Sequence, residues 1–498
     1  MNHLLILPIL LPLFAGSLLL MGGQVALRWQ RVFSCVATFL LIPLAVLLVQ
    51  KADSGLLFSY ALGNWQAPFG IALLLDRLSA LLLLLTAVLA GFALIYACRG
   101  DDQRGPSFHA LFQFQLLGIN GAFLTADLFN LFVFFEILLI ASYSLLLHGN
   151  GRPRVAAGLH YVVLNLFGSA LFLIALGVFY GVAGTLNMAD LAHKVAQANA
   201  EQQPLLAAAG LLLLVVFGLK AALLPLYFWL PRAYASATAP VAALFAIMTK
   251  VGFYSILRVY TLVFGSAAGA LEYLAHDWLW PLALLTLVAG FAGVLAAQSL
   301  GMLVSYLVVV SVGTLTATLA VGSVEALSAG LYYLIHSTLI AAGLFLLVDM
   351  IARQRGEHVD NLLQGPRLMQ PQLLGGLFFL AAIAVAGLPP LSGFLGKLLI
   401  LQSVSGWQAL LLWPILLGGG LVVLVALSRA GSMVFWKVGQ HQLDSAVSDG
   451  WRTVACAGLL SASLLLLLFA SPLLAYTRAT AEQLLNLSAY LALVGGAQ

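Results

Sequence analysis

Two apolar segments of this 498-residue sequence each carry a lysine beside a proline break. Residues 213–231 read LLVVFGLKAALLPLYFWLP, and residues 386–400 read AGLPPLSGFLGKLLI. A membrane helix needs about 20 mostly apolar residues to cross a hydrocarbon core of about 30 Å. Proline removes a backbone hydrogen bond, and such a break is tolerated at membrane depth only where protein or water satisfies the freed groups. The two segments therefore predict two broken membrane helices.

The composition of the whole chain points to the same class of protein. Hydrophobic residues make up 63% of the chain and charged residues 8%, with a mean hydropathy of +1.07. Soluble proteins carry roughly 25% charged residues. This balance excludes soluble enzymes, secreted scaffolds, disordered proteins and nucleic-acid binders. The three cysteines, Cys35, Cys98 and Cys456, show neither metal-ligand nor disulfide spacing, and no cofactor motif is present, so we expect no cofactor and no metal site.

Hydropathy predicts an all-α polytopic membrane protein with about 14 transmembrane helices and no soluble domain. Segment 188–201 is polar and predicts a surface-lying helix or loop. The predicted spans are residues 4–21, 32–50, 71–97, 107–125, 127–148, 155–184, 205–236, 240–262, 277–298, 300–321, 326–352, 371–404, 408–435 and 451–472.

The basic residues predict the orientation in the membrane. The loops after odd-numbered spans hold 13 of the 21 lysines and arginines. The opposite side holds 5, namely Lys51, Arg77, Lys194, Arg258 and Arg478. Because cytoplasmic loops carry the excess of basic residues, the odd loops are predicted to be cytoplasmic and both termini to lie on the outer side.

The remaining three lysines, Lys220, Lys250 and Lys397, lie inside spans, together with Glu136 and His336. An ionised group at the bilayer centre costs at least about 2.5–3.5 kcal/mol. Static ion pairs that fix helix packing are one explanation, but Glu136 can compensate only one lysine. Buried lysines without a carboxylate partner favour a role in a proton path. For His336 alone, a structural hydrogen bond to a neighbouring helix is an equally good explanation.

The two proline breaks, Pro225 and Pro389, are 164 residues apart, which suggests corresponding elements of two repeats. Paired interrupted helices are the best sequence indication of ion sites in transporters. Ordinary proline kinks in long helices remain the alternative.

These motifs resemble the proton-translocating membrane subunits shared by respiratory complex I and the multisubunit Mrp cation/proton antiporters. The resemblance rests on Glu136 in LFNLFVFFEILLIASYSLL, Lys220 with the broken segment that follows it, Lys250 in AIMTKVGFYSILR, His336 in LYYLIHSTLIAAGLFLL, and AGLPPLSGFLGK ending at Lys397. It implies two inverted five-helix repeats, each with a broken helix. The implied domains are residues 1–106 (helices 1–3), 107–262 (first repeat, helices 4–8), 277–435 (second repeat, helices 9–13) and 436–498 (helix 14 and tail).

Within this family the chain most resembles the D-type subunits of the antiporters. In the position of a histidine–lysine run typical of the large pump subunits it has Tyr333 and Ile340, leaving His336 alone. It also has Lys397 where one complex I subunit has glutamate. The missing histidine and lysine put in doubt any relay that requires them.

The resemblance implies a cell-membrane subunit that moves protons and works with other membrane subunits to exchange them for Na⁺. Glu136 and Lys220 would form a charge pair, and protons would pass through Lys250 and His336 to Lys397. Two alternatives remain, a proton-pumping subunit of a complex I-like NADH:quinone oxidoreductase and a non-conducting scaffold. Because Glu136 is the one deep carboxylate, we expect Na⁺ to pass through a partner subunit.

Overall fold

The computed structural model describes residues 2–23, 25–65, 70–442, 447 and 449–495, and these residues form nineteen α-helices. The helices are α1 (Leu7–Met21), α2 (Leu27–Ala52), α3 (Arg77–Ala97), α4 (Phe108–Leu124), α5 (Leu128–Leu147), α6 (Arg152–Ala183), α7 (Met188–Ala196), α8 (Gln203–Ala221), α9 (Trp229–Ser236), α10 (Ala239–Leu262), α11 (His276–Ala296), α12 (Leu300–Val321), α13 (Val324–Gln354), α14 (Pro371–Ala386), α15 (Ser392–Gln402), α16 (Gly406–Gly431), α17 (Gly450–Leu468), α18 (Ala470–Leu485) and α19 (Ser488–Gly495).

Two short β-ladders lie between the helices. Strand β1 (Phe58–Ala61) pairs antiparallel with β2 (Ala72–Leu75), with Phe58 opposite Leu75. Strand β3 (Gly365–Arg367) pairs in parallel with β4 (Val438–Gln442). Both ladders connect the ends of helices and leave the helical bundle as the body of the protein.

The helices confirm the all-α, polytopic membrane class. Among the described residues, eleven helices are long and apolar enough to cross a membrane. The other predicted spans coincide with the shorter helices α1 and α4 and with the broken pair α14 and α15. Each predicted span therefore contains a helix, while the total of 14 and the inverted relation of the repeats stay predictions. The predicted outer side of the termini also stays a prediction, and residues 1 and 496–498 lie outside the described residues.

Two predicted boundaries differ from the structure. The predicted span 71–97 begins as strand β2, and its helix starts only at Arg77 because Asp76 caps it. The Asp76 carboxylate accepts a hydrogen bond from Ser79 N at 2.9 Å, and Ser79 Oγ accepts one from Asp76 N at 3.0 Å. This reciprocal capping box fixes the start of a helix. The predicted C-terminal tail holds two further helices, α18 and α19.

Both predicted helix breaks are present, and neighbouring groups satisfy the backbone at the first. Helix α8 ends at Ala221, and Ala222 takes a left-handed conformation with φ of 63°. Across the break, Trp229 Nε1 donates to Leu219 O at 3.1 Å, and Leu224 N donates to Thr286 Oγ1 of α11 at 2.9 Å. Helix α14 ends at Ala386 before the second break, and α15 begins at Ser392.

The centre of the bundle is α10, in which every residue is buried. It contacts α8, α12, α13 and α3. Helices α12 and α13 are also almost entirely buried, whereas α2, α6 and α16 each expose an apolar face. The exposed apolar faces suit lipid or other membrane subunits.

The position of Arg258 corrects one assignment made from the sequence. The sequence places it among the basic residues of the outer loops, but it lies on α10 and only 2% of it is exposed. Its guanidinium donates to Asp76 Oδ2 at 2.6 Å, and the hydroxyl of Tyr490 donates to the same oxygen at 2.6 Å. This network ties α10 to the start of α3 and to α19.

A second ion network gathers arginines that the sequence assigns to one side of the membrane. Asp101, on the loop between α3 and α4, lies 2.8 Å from Arg353 and 3.0 Å from Arg104. The adjacent Asp102 lies 2.6 Å from Arg31 at the start of α2. These arginines all belong to loops after odd-numbered spans, so the structure places them on one face, as the topology predicts.

We expect Arg258→Met to destabilise the fold strongly, because it leaves the buried Asp76 carboxylate without its cation. Breaking a buried pair on one side costs about 3–5 kcal/mol. The double variant Asp76→Asn/Arg258→Met removes both charges and should recover most of the loss. The midpoint of thermal unfolding in detergent measures both effects.

Arg478→Met is the control, since Arg478 is exposed and its ion pairs are with the exposed Glu325 and Glu482. Such surface pairs contribute little stability. Equal midpoints for Arg258→Met and Arg478→Met would refute a stabilising role for the Asp76 network.

Candidate functional site

The first group of predicted site residues lies where α5, α6 and α8 meet. Glu136 on α5 is half-buried and accepts a hydrogen bond from the Ser169 hydroxyl of α6. Lys220, 5% exposed on the last turn of α8, donates to Ser169 Oγ and to Asn165 O, both at 3.4 Å. Within the described part of the chain, the expected Glu136–Lys220 pair is therefore not a direct ion pair. The Ser169 hydroxyl bridges the carboxylate and the ammonium.

The position of Lys220 follows from the end of α8. A helix C-terminus carries a partial negative charge, which favours a cation on its last turn. The ammonium also lies 5.7 Å from the centre of the Phe135 ring, within the range of a cation–π contact. Helix α10 packs directly against this turn, since a Cβ at Gly252 would lie 2.5 Å from Ala221 N and 2.7 Å from Lys220 C. Glycine at residue 252 is thus required for the approach of α10 to Lys220.

Lys250 forms a second, fully buried position two residues before Gly252 on α10. Its ammonium donates to Ser311 Oγ of α12 at 2.7 Å and to Thr249 Oγ1 at 3.4 Å. Ser311 in turn donates its own hydroxyl proton to Val308 O at 2.7 Å. A hydroxyl that donates elsewhere still has lone pairs to accept from an ammonium. The hydrogen-bond partners of Lys250 in the described chain are all neutral.

His336 on α13 is the start of a third group, which reaches α15 and α17. The His336 Nδ1 atom lies 2.7 Å from Ser392 Oγ at the start of α15, and Ser392 Oγ lies 2.9 Å from Ser463 Oγ of α17. Of His336 itself only 2% is exposed. The histidine therefore joins three helices through a chain of hydroxyls.

Lys397, half-buried on α15, donates to Val385 O at 2.9 Å and to Ala386 O at 3.0 Å. These are carbonyls at the C-terminal end of α14, which the break before α15 leaves without helical partners. Lys397 follows its helix break, whereas Lys220 precedes its own. Both ammonium groups thus lie at helix C-termini, although the two lysines belong to different halves of their broken helices.

A small cavity of about 30 Å³ connects His336 and Lys397. A bound water needs about 10–15 Å³ of such space, so the cavity has room for about two. Leu307 and Val310 of α12 line it. The next residue of α12, Ser311, binds Lys250, so one turn of α12 contributes to both the cavity and the Lys250 position.

The structure thus brings the five predicted residues into three groups along consecutive helices. It adds the serines that bind them, Ser169, Ser311 and Ser392, and Ser463, which binds Ser392, none of which sequence reasoning identified. Serine is common in apolar helices because its hydroxyl can bond to the preceding turn, as Ser311 does, and such residues carry no pattern of their own.

The sequence of this chain is similar to those of known membrane proteins. Residues 125–423 match the family model for the NADH:quinone oxidoreductase/Mrp antiporter transmembrane region. The chain is 42% identical to the D-type subunit of a probable K⁺/H⁺ antiporter of Rhizobium meliloti, over 97% of this chain and 96% of the relative. It is 38% identical to the D-type subunit of a Na⁺/H⁺ antiporter of Bacillus subtilis, over 88% and 87%.

The fold also matches a solved structure. A chain of the Mrp complex from a Dietzia species superposes with a TM-score of 0.85 at 24% identity, covering 99% of both chains. The chain thus has the fold of a subunit of that multisubunit complex.

We expect Gly252→Ala to destabilise the protein by about 1–3 kcal/mol, because the added methyl group overlaps the backbone of α8 at Lys220. Gly177→Ala on α6 is the matched control, since a Cβ there meets nothing within 4 Å. Thermal unfolding in detergent compares the two variants. Equal midpoints would contradict the close contact between α10 and α8.

Proposed function

Because this chain belongs to the NADH:quinone oxidoreductase/Mrp antiporter transmembrane family, we propose that it is the D-type subunit of a multisubunit antiporter and carries its protons. The chain is a multi-pass membrane protein, and its role is that of a transporter subunit. Its relatives are named for Na⁺/H⁺ and K⁺/H⁺ antiport, so the exchanged ion is an alkali cation.

The observation that carries the proposal is the bonding of the three buried ammonium groups. Lys220, Lys250 and Lys397 each bind neutral oxygen atoms of serine, threonine or the backbone. A purely structural buried cation is stabilised best by a carboxylate, because removing a charge from water is costly. Neutral acceptors stabilise the ammonium less than a carboxylate would, so they suit a group that gains and loses a proton.

In the proposed mechanism Ser169 couples Glu136 to Lys220. While the hydroxyl bridges the two groups, the carboxylate stabilises the protonated lysine. When α6 shifts and the bridge opens, that stabilisation is lost and Lys220 passes its proton towards Lys250. The contact of α10 with the last turn of α8 keeps the two lysines on adjacent helix segments.

From Lys250 the proposed path crosses α12 to the cavity of His336 and Lys397. The Ser311 hydroxyl takes the proton from Lys250 as it gives up its own, for which its O–H turns from Val308 O towards the cavity, and waters there complete the route. The membrane potential can drive this proton transfer, since it supplies about 2.3 kcal/mol per charge per 100 mV. Exchange with the other side of the membrane then takes place at Lys397.

The cation exchanged for protons takes a different route in this proposal. Na⁺ and K⁺ bind hard oxygen ligands, preferably carboxylates. Three lysines along the path repel a cation, and Glu136 is already engaged by Ser169. We therefore assign the cation path to a partner subunit.

The two halves of the path correspond to the proposed repeats, residues 107–262 and 277–435. In each, the fourth of five spans is broken, as the pairs α8/α9 and α14/α15 illustrate. Repeats with an odd number of spans begin on opposite sides of the membrane, which makes them inverted.

The remaining candidate function is a pumping subunit of an NADH:quinone oxidoreductase. Such a subunit would use the same proton path and differ in its partner subunits.

We expect Glu136→Ala, Lys220→Ala and Lys397→Ala each to reduce antiport at least about tenfold, since losing a hydrogen bond to a charged group costs about 1.5–3 kcal/mol. Antiport is measured in everted vesicles as the collapse of a pH gradient on addition of Na⁺ or K⁺. Lys194→Ala on the exposed face of α7 is the control. Wild-type rates for all three variants, with the complex assembled, would refute the proton path.

Ser169→Ala tests the bridge itself. It should lower antiport about tenfold, because Glu136 and Lys220 lose their common partner, whereas Ser169→Thr restores the hydroxyl and should recover activity. Ser144→Ala is the matched control, since that exposed residue donates its hydroxyl to Ile140 O of its own helix. Equal rates for Ser169→Ala and Ser144→Ala would show that the bridge has no role in transport.

A further inference from the structure

Four potential metal ligands that are distant in the sequence meet where α2, α3 and α4 converge. The Cys35 Sγ atom of α2 lies 3.9 Å from Cys98 Sγ at the end of α3. The ligand atoms of Cys98, Asp102 and His109 all lie within 4.8 Å of one another, and His109 Nε2 is 3.0 Å from Asp102 Oδ2. None of these side chains belongs to the proposed proton path.

Two of the distances among these atoms are close to those in a tetrahedral metal site, whereas Cys35 lies outside the group of three ligands that are mutually close. With Zn–S bonds of about 2.3 Å, two thiolates on one zinc ion lie about 3.8 Å apart, and a nitrogen and an oxygen ligand about 3.4 Å apart. The Cys35–Cys98 distance of 3.9 Å matches the first value. The His109–Asp102 distance is slightly shorter than the second, so a bound ion would replace their hydrogen bond with a small separation.

The charges at the cluster also suit a divalent cation. Arg31 holds both carboxylate oxygens of Asp102, at 2.6 and 2.8 Å. With both thiols deprotonated, the cluster of Cys35, Cys98, Asp102 and Arg31 carries a net charge of −2, which one divalent ion neutralises.

His109 supplies a further observation. It is 1% exposed, and its Nδ1 atom lacks a hydrogen-bond partner among the described residues. The nitrogen that faces the cluster is Nε2, and a neutral imidazole beside a thiol is a good ligand for zinc and similar ions.

We propose that Cys98, Asp102 and His109, joined by Cys35 as the fourth ligand once its side chain turns towards them, bind one thiophilic divalent cation of the zinc class. Binding forms two metal–sulfur bonds, one metal–nitrogen bond and one metal–oxygen bond, and it releases the two thiol protons to solvent. The bound ion joins α2, α3 and α4, and thus holds the first helices of the chain against the start of the first repeat. On the predicted topology this face is cytoplasmic, where thiols remain reduced, which favours a metal over a disulfide.

The test uses the full chain, purified from membranes with its associated subunits under reducing conditions and stripped with a chelator. Titration with Co²⁺ should produce a thiolate-to-cobalt charge-transfer band that saturates at one ion per chain. Cys456→Ser should behave like wild type, because Cys456 is buried elsewhere with its thiol bonded to Gly343 O. Cys98→Ser and Cys35→Ser should each weaken binding at least about tenfold.

Absence of the band in wild type, or an undiminished band in the Cys35→Ser/Cys98→Ser variant, would overturn the proposal. A Cys35–Cys98 disulfide in freshly isolated membranes, with no Co²⁺ binding after reduction, would overturn it in favour of a redox pair. If the variants fail to accumulate, alkylation of wild type decides the question. Protection of Cys35 and Cys98 by Zn²⁺ supports the site, and equal labelling with and without Zn²⁺ refutes it.

Discussion

The structure depends on how ammonium groups are accommodated inside an apolar bundle. Each buried lysine is satisfied by oxygen atoms that carry no net charge. Lys397 binds the free carbonyls at the end of α14, and Lys250 binds the hydroxyl of Ser311. Broken helices are the source of such carbonyls, because only a helix end has backbone oxygens without helical partners. The proline breaks and the buried charges are therefore two parts of one arrangement.

The packing of the central helices keeps the three groups of site residues apart. Helix α10 is buried along its whole length and passes close enough to α8 that Gly252 admits no side chain. On its other side α12 places a hydroxyl towards Lys250 and apolar side chains towards the cavity of His336. The rigid, closely packed centre keeps the three groups at separate positions. In the proposed path a proton moves between them through small changes in hydrogen bonding.

Much of the fold and of the candidate site can be predicted from the sequence, for physical reasons. A charge in a span is expensive and therefore rare, so Glu136, Lys220, Lys250 and Lys397 are identifiable one by one. Proline at membrane depth is equally conspicuous, and both breaks are where the sequence predicts them. The polarity of segment 188–201 predicts a surface-lying helix or loop, and α7 forms over Met188–Ala196 of it.

The remaining features of the fold and the site could not be predicted, because they depend on contacts between residues that are far apart in the sequence. Ser169 resembles any serine in an apolar helix until α5 and α8 are placed around it. The sequence assigns Arg258 wrongly because its position near a span end is also typical of a loop cation, and its partner Asp76 lies 182 residues away. The thiols of Cys35 and Cys98 are 63 residues apart in the chain and become neighbours only through the packing of α2 on α3.

The central claim is that protons cross the middle of the membrane through Lys250, and one substitution tests it directly. Lys250→Met keeps the length and apolar stem of the side chain and removes its proton. The measurement is proton flux in liposomes that contain the assembled complex and a pH-sensitive dye, driven by an imposed Na⁺ or K⁺ gradient. The Lys250→Met complex should assemble, and its cation-driven proton flux should fall to the level of empty liposomes. A wild-type flux in the Lys250→Met complex would contradict it.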